Sequence, residues 1–202
     1  MERSSKKQRV LQLAQEQGVV SRADLKEAGL PEEYLARLED EGELKALAPG
    51  VYMDSDHQAT ESLELAVVAK RVPHSVIFGI SALQFHGLTT QVAHSVQIAI
   101  ERGKWKPKLE WPPTEVFHIS GDAFKAGLDT HTVEGGIKVR VYSVAKTIAD
   151  LFKFRNALGL DVAIEALKEG WRENRFSMDE LDEYAEVCRV RRVMRPYLEM
   201  LE

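Results

Sequence analysis

The stretch that decides the fold runs from Gly29 to Tyr52, GLPEEYLARLEDEGELKALAPGVY. Gly29 suits a tight turn, and Pro31 fits the first turn of a helix, where its missing N–H does no harm. Leu35 and Leu38 fall on the inward side of that helix, and Gly42 stops it. ELKAL and VYM then read as two short strands turning about Pro49-Gly50. This is the second half of a winged helix-turn-helix. Yet the helix that would enter a DNA groove carries Glu32, Glu33, Glu39, Asp40 and Glu41 against a single Arg37. The layout suits a reader of DNA; the charge opposes it.

The residues upstream complete the unit. Val10, Leu11, Leu13 and Ala14 give a helical apolar face between Ser5 and Gln17, ended by Gly18. SRAD opens the next helix, with Ser21 as cap and Asp24 where a capping-box acid belongs. Three short helices and a hairpin therefore occupy residues 1–54, and the polar stretch MDSDHQATE, Met53 to Glu61, marks the seam.

From residue 60 to 202 the periodicity is mixed. Thr60–Arg71 is helical, SVIFGI is a short buried strand entering the helix SALQFHGL, and SVQIAI and EVFHIS read as strands. In IKVRVY, Ile137, Val139 and Val141 alternate with outward Lys138 and Arg140. Helices follow at about 143–155, 160–170, 177–188 and 190–201, the third starting on Ser177 with Glu180. The fold class is α+β: an N-terminal winged helix-turn-helix, then a mixed-sheet domain with a helical C-terminal half.

The whole chain has 202 residues and a formal net charge of −5, which gives no global pull toward nucleic acid or an anionic membrane. Any polyanion contact is local. The lone Cys188 excludes an internal disulfide and a multi-cysteine metal site, and suits a reducing cytoplasm. AVVAKRVPHSVIFGI is broken by Lys70, Arg71, Pro73 and His74, so no membrane span is expected, and MERSSKKQRV lacks the apolar core of a signal peptide. The expected location is the cytoplasm.

As a set, SRADL, LARLEDEGELKALAPGVY, FGISALQFHGLTTQ, VQIAIERGK, GGIKVRVYSVAKTIADLFKFR and RVMRPYLEML resemble the AbiEi-like family, in that family's order and over nearly the whole chain. These are antitoxins of type IV toxin–antitoxin systems, described as transcriptional regulators of viral defence by abortive infection. The resemblance implies an N-terminal winged helix that binds the operon's own promoter as double-stranded DNA. It also implies a C-terminal domain that opposes a separately encoded nucleotidyltransferase toxin without forming a stable complex with it. No cofactor is implied, and a monomer or weak dimer on DNA is expected.

Phosphate contacts supply most DNA affinity and come from Lys, Arg, backbone N–H groups and helix N-termini. Residues 1–54 hold eight Lys or Arg and eleven Asp or Glu. Basic support exists at Lys6, Lys7 and Arg9 on the first helix, Arg22 and Lys26 on the second, and Lys45 in the wing. Tyr34 and Arg37 are the candidate base readers of the acidic helix, with a core role for Tyr34 as the alternative. The wing's turn, Ala48-Pro49-Gly50, has no basic side chain. Denser basic sites lie later. RGKWKPK sets Arg102, Lys104, Lys106 and Lys108 around Trp105. Lys138, Arg140, Lys146, Lys153 and Arg155 accompany only Asp150. These cations either contact DNA or pair with the acids of MDELDEYAE. The expectation is that DNA binding needs basic surface on the second domain, or two copies on adjacent half-sites.

Enzyme chemistry fits less well. FGISALQFHG resembles the strand–Gly–Ser–helix entry of nucleotidyltransferases, but the next strand, VQIAI, lacks the paired carboxylates that hold two metal ions, with no acid before Glu101. The Gly79-Ile80-Ser81 turn is instead read as a helix start capped by Ser81. In IERGK, Glu101 and Lys104 have the wrong spacing for a nuclease. The six histidines show no helical zinc-site pairing, and His86 reads as a packed, hydrogen-bonded residue. Asp150 is expected to bond a loop or Arg155, and Cys188 to be a small buried hydrophobe. The expectation is a non-enzymatic protein. The alternative is a nucleotidyltransferase-like enzyme, or an inactive relative serving as an interaction module. Val190, Val193, Met194, Tyr197, Leu198 and Leu201 would close the domain's own core or form a dimer face.

Overall fold

The computed structural model describes residues 2–57, 60 and 62–201. The chain divides into two compact units. The first comprises residues up to His74 together with 107–113 and 131–139; the second comprises Ser75–Lys106, 114–130 and 140 onward. The seam expected at 53–61 therefore falls inside the first unit. Polar residues there join the hairpin to one more helix, because the sheet has a second apolar face that needs covering.

In the first unit α1 (Glu2–Gln17), β1 (Val19–Ser21), α2 (Arg22–Glu27), α3 (Glu33–Asp40), β2 (Leu44–Ala48), β3 (Val51–Asp54) and α4 (Leu63–Arg71) follow one another. Ser21 closes the expected capping box: its side chain accepts from the Asp24 N–H, and Asp24 accepts from the Ser21 N–H at 2.6 Å. A cap of this kind contributes about 1 kcal/mol to a short helix. The unexpected element is β1, only three residues long, which pairs antiparallel with β3 in register Val19 to Met53. The sheet order is thus β1-β3-β2.

Strand alternation sorts the side chains into two cores. Val20 and Tyr52 join Val10, Ala14, Leu25, Leu35 and Leu38 under the three helices. Val19, Val51 and Met53 face the other way, onto Leu63, Ala66 and Val67 of α4 and Ile137. This is the arrangement of a winged helix-turn-helix, with β2–β3 as the wing.

The second unit is built on a five-stranded mixed sheet of order β6-β5-β4-β8-β7. Its strands are β4 (Val76–Ile77), β5 (Val96–Glu101), β6 (Thr114–Ile119), β7 (Leu128–Thr132) and β8 (Lys138–Tyr142). β4 runs antiparallel to β5 and parallel to β8, and β5 runs parallel to β6. The far ends of β7 and β8 count with the first unit. As expected, Ile137, Val139 and Val141 are buried and Lys138 is exposed. Helices α5 (Gly79–Phe85), α6 (Asp122–Lys125), α7 (Val144–Lys153), α8 (Arg155–Leu158), α9 (Leu160–Arg172), α10 (Met178–Val187) and α11 (Arg191–Leu198) complete the chain.

α7 is the spine of this unit. α5, α9 and α10 all pack on it, and every residue from Val144 to Phe152 is buried. The C-terminal apolar residues close this same core, Val190 and Met194 fully and Val193, Tyr197, Leu198 and Leu201 in part.

The FGIS entry is held differently from expectation. Phe78 is the N-cap of α5, and Ser81 lies inside the helix. The capping group comes from the neighbouring strand, where buried Gln97 accepts the Ile80 N–H at 2.7 Å on its Oε1. Gln97 Nε2 donates to Glu115 at 2.9 Å, and its backbone N–H donates to Ser81 Oγ at 2.9 Å. Gly79 is required by this clasp. Its φ is +58°, and a Cβ there would lie 2.4 Å from Gln97 Oε1.

Candidate nucleic-acid interface

On α3, Tyr34, Leu35 and Leu38 are buried while Glu32, Glu33, Ala36, Arg37, Glu39 and Asp40 are exposed. Tyr34 is therefore a core residue, 7% exposed among the leucines under the helices, and is withdrawn as a base reader. Arg37 is exposed but engaged: its Nε lies 2.8 Å from Glu41 Oε1, one helical turn on. Lys7 reaches the other oxygen of Glu41 at 2.5 Å. Hydrogen bonds from Lys7 and then Arg37 hold the Glu41 carboxyl below the usual range, and the bond to Glu41 raises the guanidinium of Arg37 in turn. The helix has spent its one cation on its own acids.

The cations left over stand elsewhere in the unit. Arg9, Arg22, Lys26 and Lys45 are exposed and Lys6 is half-buried. Arg22 opens α2, and its backbone N–H donates to Gly50 O at 3.3 Å across to the wing's turn. Its side chain lies along that turn, with Nε 3.5 Å from where a Cβ of Gly50 would stand. From the end of α4, Arg71 Nη1 donates to Pro49 O. Two guanidinium groups thus flank a turn whose own residues carry no charge. Between them is a cleft of about 250 Å³ whose lining includes Arg22, Gly50, Lys70 and Arg71. Lys70 is held at 2.5 Å by Asp24 and at 3.0 Å by Gln17. Among the described residues, neither Arg22 nor Arg71 forms an ion pair. Lys70 and Arg71 were not among the expected contacts. In the sequence they are only the end of a helix, and nothing there says that this end meets the wing.

The expected cations that follow the wing in the chain divide. Arg102, Lys104 and Lys106 are exposed in the loop after β5, with Trp105 79% exposed among them, and Lys108 beyond is exposed as well. Lys138 and Lys153 are exposed. Arg140 is half-buried, and its Nε and Nη2 donate to Ser75 O at 3.2 and 3.0 Å.

Lys146 is a correction. It is 0% exposed and cannot touch DNA. Its Nζ donates to Asp150 and sits 4.0 Å over the Tyr142 ring. Gly127 leaves it room, since a Cβ there would lie 2.5 Å from Lys146 Cβ. Asp150 in turn accepts from Cys188 Sγ at 3.2 Å, so its partners are Lys146 and Cys188, while Arg155 donates to Phe152 O. Burial raises the Asp150 carboxyl, opposed by Lys146. Burial with the adjacent Asp150 charge pushes the Cys188 thiol up to about 12, which keeps it protonated and inert. The acids of α10 do not take the expected cations. Arg191 bonds Asp182 at 2.6 Å through two nitrogens and Glu186 at 3.0 Å. His86 Nε2 lies 2.7 Å from Tyr142 O, a packed histidine as expected.

Residues 8–53, from α1 to the second wing strand, match the family model for "Transcriptional regulator, AbiEi antitoxin". This module is similar to that of AbiEi antitoxin regulators. The match covers the three helices and the wing, the same elements that carry Arg22 and the acidic α3. No curated protein matches the chain. Among solved structures, the chain is similar to the RV2827C protein from Mycobacterium tuberculosis, with 17% identity, 90% of this chain and 71% of that one covered, and a TM-score of 0.60. That likeness is one of fold. Among the described residues no helix is long and apolar enough to cross a membrane, and no group of three or more His, Cys, Asp or Glu is placed to hold a metal ion.

Proposed function

We propose that the protein is a DNA-binding transcriptional regulator and the antitoxin of a type IV toxin–antitoxin system. It represses its own operon and opposes a nucleotidyltransferase toxin without binding it stably. It acts in the cytoplasm on double-stranded promoter DNA, as a monomer or weak dimer, and catalyses no reaction. The observation that carries this reading is the AbiEi antitoxin match over the helix-turn-helix and wing.

The acidic face of α3 sets the terms of binding. Its carboxylates repel phosphates, so affinity comes from cations beside the wing and from the second unit. Arg102, Lys104 and Lys106 are the strongest candidates there, being exposed around an exposed indole. Replacing all three with Gln is expected to weaken binding to the duplex upstream of the protein's own reading frame by about tenfold or more in a mobility-shift assay. Unchanged affinity would confine binding to the winged unit. Conversely, Glu32→Gln with Glu33→Gln is expected to tighten binding about three- to tenfold, because both carboxylates are exposed at the groove-entering end of α3. Weaker binding by that variant would identify these carboxylates as base acceptors instead, a role Glu can fill toward cytosine N4.

A further inference from the structure

We infer that the cleft beside the wing's turn is a seat for one backbone phosphate of the duplex, gripped by Arg22 and Arg71. This rests on the DNA-binding reading above and names the residues through which the winged unit holds its ligand.

Three observations converge on the cleft. Its charged lining residues are Arg22, Lys70 and Arg71, with no carboxylate among them. Asp24, the partner of Lys70, is already occupied, because one oxygen accepts from the Ser21 backbone and hydroxyl and the other holds Lys70. The two arginines are also preset. Arg71 is anchored on Pro49 O through one nitrogen, which leaves its other donors for a ligand. Arg22 lies along Gly50, and no acid claims it among the described residues. A guanidinium on either side of a concave turn offers the forked donors that suit a phosphate oxyanion. This also resolves the conflict within Gly29–Tyr52. The wing's turn has no basic side chain of its own and borrows two, one from α2 and one from α4. Glycine at position 50 is needed for its φ of +76°.

The duplex is the preferred source of the phosphate. The cleft opens beside the wing, the element that follows the DNA backbone in winged helices, and about 250 Å³ holds a phosphodiester without a base.

The test uses the full chain, as wild type, as Arg22→Gln/Arg71→Gln, and as Lys168→Gln, an exposed control on α9. Fluorescence anisotropy with the duplex upstream of its own reading frame is measured across a salt series, and thermal melting confirms that each variant is folded. Loss of this one phosphate contact is expected to flatten the slope of log affinity against log salt by about 0.9 and to weaken low-salt binding by about tenfold or more. The Lys168 variant is expected to match wild type. If wild type binds and the double variant keeps its slope, the cleft is not a phosphate seat, and the regulator reading stands. If wild type binds no duplex, the regulator reading fails and the cleft's role falls with it. A parallel titration with inorganic phosphate, followed through the backbone amides of Arg22, Gly50 and Arg71, separates the sources. Saturation by free phosphate at micromolar concentration would overturn the duplex assignment in favour of a small-anion site.

Discussion

Lys146→Met is expected to destabilise the protein by about 3–5 kcal/mol, the usual effect of removing one partner from a buried ion pair. Lys146 and Asp150 are both 0% exposed, one helical turn apart on the helix that α5, α9 and α10 enclose. With Lys146 gone, Asp150 would keep only the weak Cys188 donor, and burial already drives its carboxyl upward. The carboxylate must then either stay charged without a partner or take up a proton, and both are costly. Lys146→Met with Asp150→Leu removes both charges at similar volume and is expected to recover most of the loss, because a buried pair can often be replaced by apolar groups at little net cost. Urea unfolding of the two variants checks this. A single variant within about 1 kcal/mol of wild type would mean that water reaches the pair, contrary to the packing of α7.

That pair also shows what periodicity alone misreads. Lys146 and Lys153 are seven residues apart and share a helical face, so both looked exposed. The face is covered only over its first turns, by the segment around Gly127 and by α10, and Lys153 emerges at the end of α7. Local pattern carries no information about which distant segment covers a face. The elements were legible wherever their own residues set them. Ser21 with Asp24 marked α2, Pro49-Gly50 marked the wing, and the alternation of Ile137, Val139 and Val141 marked β8. What failed depended on remote partners. β1 is three residues whose strand character comes from β3, the α5 cap comes from Gln97 on another strand, and α4 belongs to the first unit because the wing sheet has a second apolar face. The candidate site divides in the same way. Its exposed lysines were visible as composition, whereas the neutralisation of Arg37 and the approach of Arg71 to the wing's turn exist only in three dimensions.

The second large effect is expected in solution. Arg22, Lys26, Lys45 and Arg71 are exposed in the winged unit and form no ion pair among the described residues. With Arg22 and Arg71 sharing one phosphate and Lys26 and Lys45 neutralising one each, log affinity is expected to fall against log salt with a slope of about −2.7, since each neutralised phosphate contributes about 0.9. Raising salt from about 50 to about 200 mM would then weaken binding roughly 40-fold. Contacts from Arg102, Lys104 and Lys106 would steepen the slope further. Cations already paired, Arg37 and Lys7, release little counterion and add little to it. The measurement that bears most directly on the protein as a DNA-binding regulator is therefore the affinity of the wild-type chain for the duplex upstream of its own reading frame across that salt range. Saturable binding at low salt with a slope of about −2.7 or steeper is the predicted result. Absence of binding at about 50 mM salt, or an affinity that salt does not change, would contradict it.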